Sequence, residues 1–134
     1  MKKYTDYTFY SDKYMGEMPE ESFERLVIGA SVEIRKHIFD RDISKYEEEV
    51  QMATCSVADI LFKIQKLEQR IDKLVSSDKE DKIVSSESVF DLSRTFANTT
   101  NISEIEKEIT NQKAKIIETI KLYLINTGLL YRGV

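Results

Sequence analysis

Residues 43–74 read ISKYEEEVQMATCSVADILFKIQKLEQRIDKL, and this stretch decides the fold. Written in sevens, it is apolar at two positions of every step. Ile43, Val50, Val57, Ile64 and Ile71 fill one position, and Tyr46, Ala53, Ile60, Leu67 and Leu74 fill the other. Spacings that alternate three and four put such residues along one side of an α-helix. No Gly or Pro interrupts the run. At 1.5 Å per residue the helix would be roughly 48 Å long, far beyond the mean of about 11–12 residues. A seam of that length needs a partner along it. The partner is either other helices of the same chain, in a bundle, or another copy, in a free-standing coiled coil. The seam fixes architecture and leaves function open.

Upstream, Pro19 suits a first helical turn, where its missing N–H is not needed. Glu20 and Glu21 follow, favourable near the positive end of the helix dipole. Phe23, Leu26, Val27, Ala30, Ile34 and Ile38 then form an apolar stripe. Gly29 weakens its middle and would allow a close helix approach. The stripe fades at the polar break Phe39-Asp40-Arg41-Asp42. Downstream, Ser76–Lys82 is polar and mixed in charge and reads as a solvated loop. In residues 83–97, Phe90, Leu92 and Phe96 alternate with Asp91, Ser93 and Thr95, which suggests a short strand or an extended loop. Ser103 with Glu106, and Asn101 with Glu104, offer capping boxes for a last helix. Its stripe is Ile105, Ile109, Ile116, Ile117, Ile120 and Leu124, and Gly128 is a natural stop. The triplets Asn98-Thr-Thr and Asn101-Ile-Ser read as loop and cap residues.

The expected fold is mainly α, a small helical bundle in one domain over residues 1–134. Helices fall near 19–39, 43–75 and 102–126, the second being the long central one. An aromatic arm occupies 1–18, the bundle 19–126 with a loop or short β segment at 76–100, and an extended tail 127–134. The arm carries Tyr4, Tyr7, Phe9, Tyr10 and Tyr14. Those rings must land on something, either the chain's own bundle or a neighbouring subunit. The tail, Leu129-Leu130-Tyr131-Arg132-Gly133-Val134, is apolar and aromatic with one cation, and is sticky if left in water.

Composition narrows function by exclusion. The chain has 134 residues, 41% hydrophobic and 33% charged, with a formal charge of −4. It therefore lacks the excess of cations that phosphate binding requires. Cys55 is the only cysteine, so no internal disulfide forms and a reducing compartment is expected. Placed beside the seam, it reads as a small buried hydrophobe. His37 is the only histidine, too few ligands for a Cys/His zinc site. The start, MKKYTDYTFYSDKY, has no apolar core like that of a signal peptide. No run of about 18 apolar residues is present to span a membrane. No phosphate loop, H-E-x-x-H or nucleophile elbow occurs, so neither an enzyme nor a cofactor is expected.

The chain resembles the small head–tail connector proteins of tailed phages, also called adaptors or head-completion proteins. The resemblance covers nearly the whole length. It rests on the aromatic arm running into Pro19-Glu20-Glu21-Ser22-Phe23-Glu24-Arg25-Leu26, on Ala30-Ser31 with Ile34, and on Ala53-Thr54-Cys55. It continues in Ser85-Ser86-Glu87-Ser88-Val89 and in the terminal Thr127-Gly128-Leu129-Leu130-Tyr131-Arg132-Gly133-Val134. The charged segment Lys63–Lys82 departs from the family pattern by its length. The resemblance implies a helical-bundle subunit of a homo-oligomeric ring, dodecameric in the virion, beneath the portal protein. Such a ring extends the DNA channel after packaging and meets a tail or stopper protein. DNA passes through it without sequence-specific binding, and no membrane is involved. Its place is the head–tail interface of the virion, and the host cytoplasm during assembly. On this reading Leu129, Leu130, Tyr131 and Arg132 dock on the portal. Ser86, Glu87, Val89, Phe90, Leu92 and Arg94 form an oligomer or channel loop, and Tyr4, Tyr7 and Tyr10 are arm contacts. An acidic coiled-coil protein, regulatory or scaffolding and self-associating through 43–74, explains the heptads equally well. It does not explain the arm or the tail.

Overall fold

Between Pro19 and Gly128 the chain holds one glycine, Gly29, and no proline. Little in the backbone opposes helix over that span. The computed structural model describes residues 3–39, 41–81 and 88–130, those at 76–81 and 88–100 by their backbone alone. The protein is mainly helical. Helix α1 is the single turn Tyr7–Phe9, followed directly by a π-helical turn, Tyr10–Tyr14. Then come α2 (Glu20–Ile38), α3 (Glu47–Asp81) and α4 (Ser88–Leu124). No strand occurs among the described residues.

Helix α2 follows its sequence signals closely. Pro19 sits just outside as the N-cap, with Glu20 and Glu21 in the first turn and Arg35, Lys36 and His37 in the last. The glutamates at the start and Arg35 and Lys36 at the end complement the helix dipole. Phe23, Val27, Ala30, Ile34 and Ile38 of the stripe are fully buried. Gly29 permits no special approach, since a Cβ there would lie 3.7 Å from Leu61 Cδ1, an ordinary contact. The helix ends at Phe39, whose backbone turns to a φ of 54° while its N–H still bonds Arg35 O.

Helix α3 differs from the expected 43–75 at both ends. Asp42 accepts a hydrogen bond from the Ser44 N–H at 3.0 Å, and Tyr46 N–H bonds Ile43 O at 2.8 Å. These local turns keep Ile43 and Tyr46 out of the helix, which starts at Glu47 with three glutamates in its first turn. At the other end the polar run 76–81 is helical rather than a loop. It has no Gly or Pro, and Lys and Glu are good helix formers.

The segment 83–97 is the main correction. Residues 82–87 lie outside the described residues, and from Ser88 onward the backbone is helical. It is neither strand nor extended loop. The apolar residues that suggested alternation also fit a helix, because Val89, Leu92 and Phe96 stand at i, i+3 and i+7. Both glycosylation-type triplets and both capping boxes accordingly lie inside α4. Its end matches expectation more closely. After Leu124 the chain turns through Ile125–Gly128, and Gly128 takes a φ of 75°.

Two compact units are distinguished, residues 1–62 with 113–134, and residues 63–112. Helices α3 and α4 contribute to both. The first unit buries the α2 stripe, the start of the seam (Val50, Ala53, Val57, Ile60) and Ile116, Ile120 and Leu124 of α4. The second buries Ile64, Ile105 and Ile109, while the later seam residues Leu67, Ile71 and Leu74 are half-buried.

Candidate functional site

The arm is anchored on its own chain within the first unit. Asp6 caps α1 by accepting from the Phe9 N–H at 2.9 Å. The Tyr10 ring, wholly buried, packs on Phe23 with centroids 4.7 Å apart, and Tyr7 stands 5.8 Å from Tyr10. Tyr10 O–H donates to Asp59 at 2.6 Å and accepts from the Met18 N–H at 2.9 Å. Tyr14 O–H donates to the other Asp59 oxygen at 3.0 Å. Ser56 Oγ joins Tyr14 to Tyr123 of α4, at 3.2 and 3.1 Å. Tyr7 O–H donates to Met18 O at 3.1 Å, and the Tyr4 N–H donates to Ser31 Oγ at 3.1 Å. All three expected arm-contact residues, Tyr4, Tyr7 and Tyr10, thus touch α2, α3 or the arm itself. Burial raises the Tyr10 phenol well above its ordinary range, helped by its bond to the Asp59 carboxylate, and lifts Tyr14 to about 12. Both hydroxyls stay protonated at physiological pH, as donors to a carboxylate must.

What the arm leaves in water is Met15. Its side chain is 78% exposed, at a φ of 61°. The next residue, Gly16, lies against the Tyr10 ring, which leaves no room there for a Cβ. In sequence Met15 is flanked by the exposed acids Asp12 and Glu17, and Lys13 lies over the Phe9 ring.

The opposite end of α2 carries a cleft of about 300 Å³. Lys36, His37 and Phe39 contribute from the end of α2, Lys121 and Ile125 from the end of α4, and Leu130 from the tail. Among the described residues no acid lines it. Lys36 bonds Glu33 at 3.2 Å but keeps 63% of its side chain exposed. Ile125 is 60% exposed and neighbouring Leu122 76%. A second cleft, of about 510 Å³, lies within the second unit, with Leu67, Leu74 and Ile105 between Arg70 and Glu104.

The tail divides at Leu129. Leu129 is buried, and its carbonyl accepts a 2.6 Å hydrogen bond from Arg41 Nη1. Leu130 is half-exposed in the first cleft, and Tyr131 and Arg132 lie outside the described residues. Ser86 and Glu87 also lie outside them, and Val89, Phe90, Leu92 and Arg94 fall on α4. Lys36, Phe39, Lys121 and Ile125 were not singled out by sequence. Their signal was faint, each standing beside a buried stripe rather than on it.

Cys55 is fully buried, and burial pushes its thiol up to about 12. A thiol so protonated and enclosed is a poor nucleophile. Among the described residues no group of three or more His, Cys, Asp or Glu could hold a metal ion. No helix among them is long and apolar enough to cross a membrane. No family model matches the chain, and neither a curated protein nor a solved structure matches it.

Proposed function

We propose that the chain is a structural assembly subunit of the tailed-phage head–tail connector type, without a catalytic centre. The observation that carries this is the placement of large apolar side chains in water at both ends of α2, Met15 at one and Leu122 with Ile125 at the other. Exposed apolar groups that cluster mark surfaces meant for a partner. The chain's formal charge of −4 suits a conduit that lets DNA pass without holding it. On this reading the subunit forms a ring between the portal and a tail or stopper protein. The segment from Leu130 through Tyr131 and Arg132 docks on the portal. Each apolar side chain so buried adds roughly 1.5–3 kcal/mol before ordering costs, so one contact is weak and a ring of them is strong.

The coiled-coil reading fares less well. Val50, Ala53, Val57, Ile60 and Ile64 of the seam are buried within the single chain. They are not available to a partner helix. The deciding test is co-sedimentation with purified portal rings of the same phage. The full chain should sediment with them, and Leu130→Glu or removal of residues 131–134 should abolish this while helix content is unchanged. A full chain that ignores portal rings defeats the proposal.

A further inference from the structure

We propose that the arm of one copy, residues 3–14, exchanges into the Phe23–Asp59 groove of a second copy, with residues 15–17 as the hinge. This goes beyond the connector reading, since it needs only two copies of the chain and no portal. The first observation is how the arm is held. Its long-range bonds end on the body of the protein: Tyr10 and Tyr14 on Asp59, Tyr14 also on Ser56, the Tyr4 N–H on Ser31 Oγ, and Lys3 on Glu24. The Tyr10 ring lies wholly buried against Phe23. A second copy presents the same groove, so an exchanged arm keeps every one of these contacts.

The second observation is the hinge. The N–H groups of Met15 and Gly16 both bond Tyr10 O, so they close the turn onto the arm and not onto the body. The Met15 side chain is exposed and contributes little packing. Its backbone stands at a φ of 61° and a ψ of 41°, a left-handed conformation that strains a residue with a side chain. Closure is also crowded, since Gly16 lies against the Tyr10 ring. Extending the hinge releases Met15, so the strain belongs to the closed form alone. A short strained hinge invites exchange between copies. Pro19 biases the residue before it, Met18, toward extended backbone. Extended, the chain from Tyr14 to Met18 spans roughly 14 Å, enough to reach an adjacent copy. Mutual exchange makes a dimer. Exchange passed in one direction links each copy to the next and closes into a ring where the rotation allows.

The test mixes Lys3→Cys chains with Glu24→Cys chains at millimolar concentration, just below the melting temperature. The mixture is cooled, diluted and treated with a short bismaleimide. Lys3 and Glu24 form an exposed ion pair 3.2 Å apart, whereas Cys55 is fully buried and reacts slowly. The expected product joins one chain of each kind. It should be several-fold weaker when Glu24→Cys is replaced by Glu68→Cys, an exposed position in the second unit. Met15→Gly in both chains takes up the left-handed turn without strain and should lower the mixed product several-fold. Gly16→Ala crowds the closed turn and should raise it. Circular dichroism confirms that each variant is folded, and Met15→Gly decides alone if Gly16→Ala is not. A mixed product no stronger than with Glu68→Cys, or one that Met15→Gly leaves unchanged, overturns the exchange. A chain that exchanges arms yet ignores portal rings defeats the connector reading and leaves this one standing.

Discussion

The Tyr10 hydroxyl donates a 2.6 Å hydrogen bond to the Asp59 carboxylate, across 49 positions of sequence. That bond joins the arm to the middle of α3. The same hydroxyl accepts from the Met18 N–H, so one oxygen serves the arm, the entry to α2 and the long helix together. Tyr10→Phe keeps the ring on Phe23, strands the Met18 N–H and leaves the Asp59 carboxylate with Tyr14 alone. Leaving buried polar groups unsatisfied costs about 1–3 kcal/mol. Urea unfolding should show a loss in that range, and a loss below about 0.5 kcal/mol would mean the hydroxyl is idle.

Alkaline pH should unfold the protein earlier than its charge alone suggests. Tyr14 titrates near 12 in the folded chain against 10.0 when unfolded, and Cys55 near 12 against 9.0, in both cases chiefly through burial. Folded pKa values above the unfolded ones mean that the native state holds its protons longer. The stabilisation is complete below the unfolded values and is lost as pH climbs from 9 toward 12. Melting temperature should be level up to pH 9 and fall through that window. Tyr14→Phe should make the fall shallower. A flat profile to pH 12 would show that these groups are not buried in the native state.

Two glycines should respond in opposite senses. Gly16→Ala sets a Cβ 2.0 Å from the Tyr10 ring and must displace it, so calorimetry should show a large drop in melting temperature. Gly29→Ala meets only Leu61 Cδ1 at 3.7 Å, inside a helix. It should stabilise by about 0.4–1 kcal/mol, through helix propensity and a less flexible unfolded chain. Destabilisation by Gly29→Ala would mean that α2 packs more tightly there than its neighbours indicate.

The seam was legible because it is local and periodic. Val50, Ala53, Val57, Ile60 and Ile64 are buried as their spacing requires. Its start lies later than the heptads suggest because an Asp42–Ser44 turn competes with helix, and apolar spacing does not register side-chain bonds to the backbone. The 88–97 segment is ambiguous in sequence because Leu92 and Phe96 fit a period of two with Phe90 and a helical spacing with Val89, while the lack of Gly and Pro favours the helix that forms. The cleft was out of reach of sequence reading. It joins residues 36–39 to residues 121–130, and only the fold brings those together.

The core seam supplies a fourth prediction. Ile60 and Ile64 are 8% and 6% exposed, whereas Leu74, later in the same seam, is half-buried. Ile60→Ala or Ile64→Ala should cost about 2–5 kcal/mol, as large-to-small changes in cores do. Leu74→Ala should cost clearly less. Equal costs at all three would mean that the seam is covered along its whole length.

Two truncations separate the structural part of the tail from the part proposed to dock. Leu129 is 5% exposed, and its carbonyl accepts from Arg41. Ending the chain at Gly128 therefore removes a buried leucine, worth about 1.5–3 kcal/mol, and a hydrogen bond from a charged group, worth about 1.5–3 kcal/mol. Ending it at Leu130 keeps both. The shorter chain should melt several degrees below the parent, and the longer one within a degree or two of it. The new carboxylate that ends the longer chain lies beside a cleft lined in part by Lys36 and Lys121, where it is electrostatically welcome. If both truncations melt like the parent, Leu129 contributes nothing to the core, and the whole tail is free to bind. If both unfold, residues 131–134 belong to the core as well, and the portal-docking surface must be sought elsewhere on the subunit.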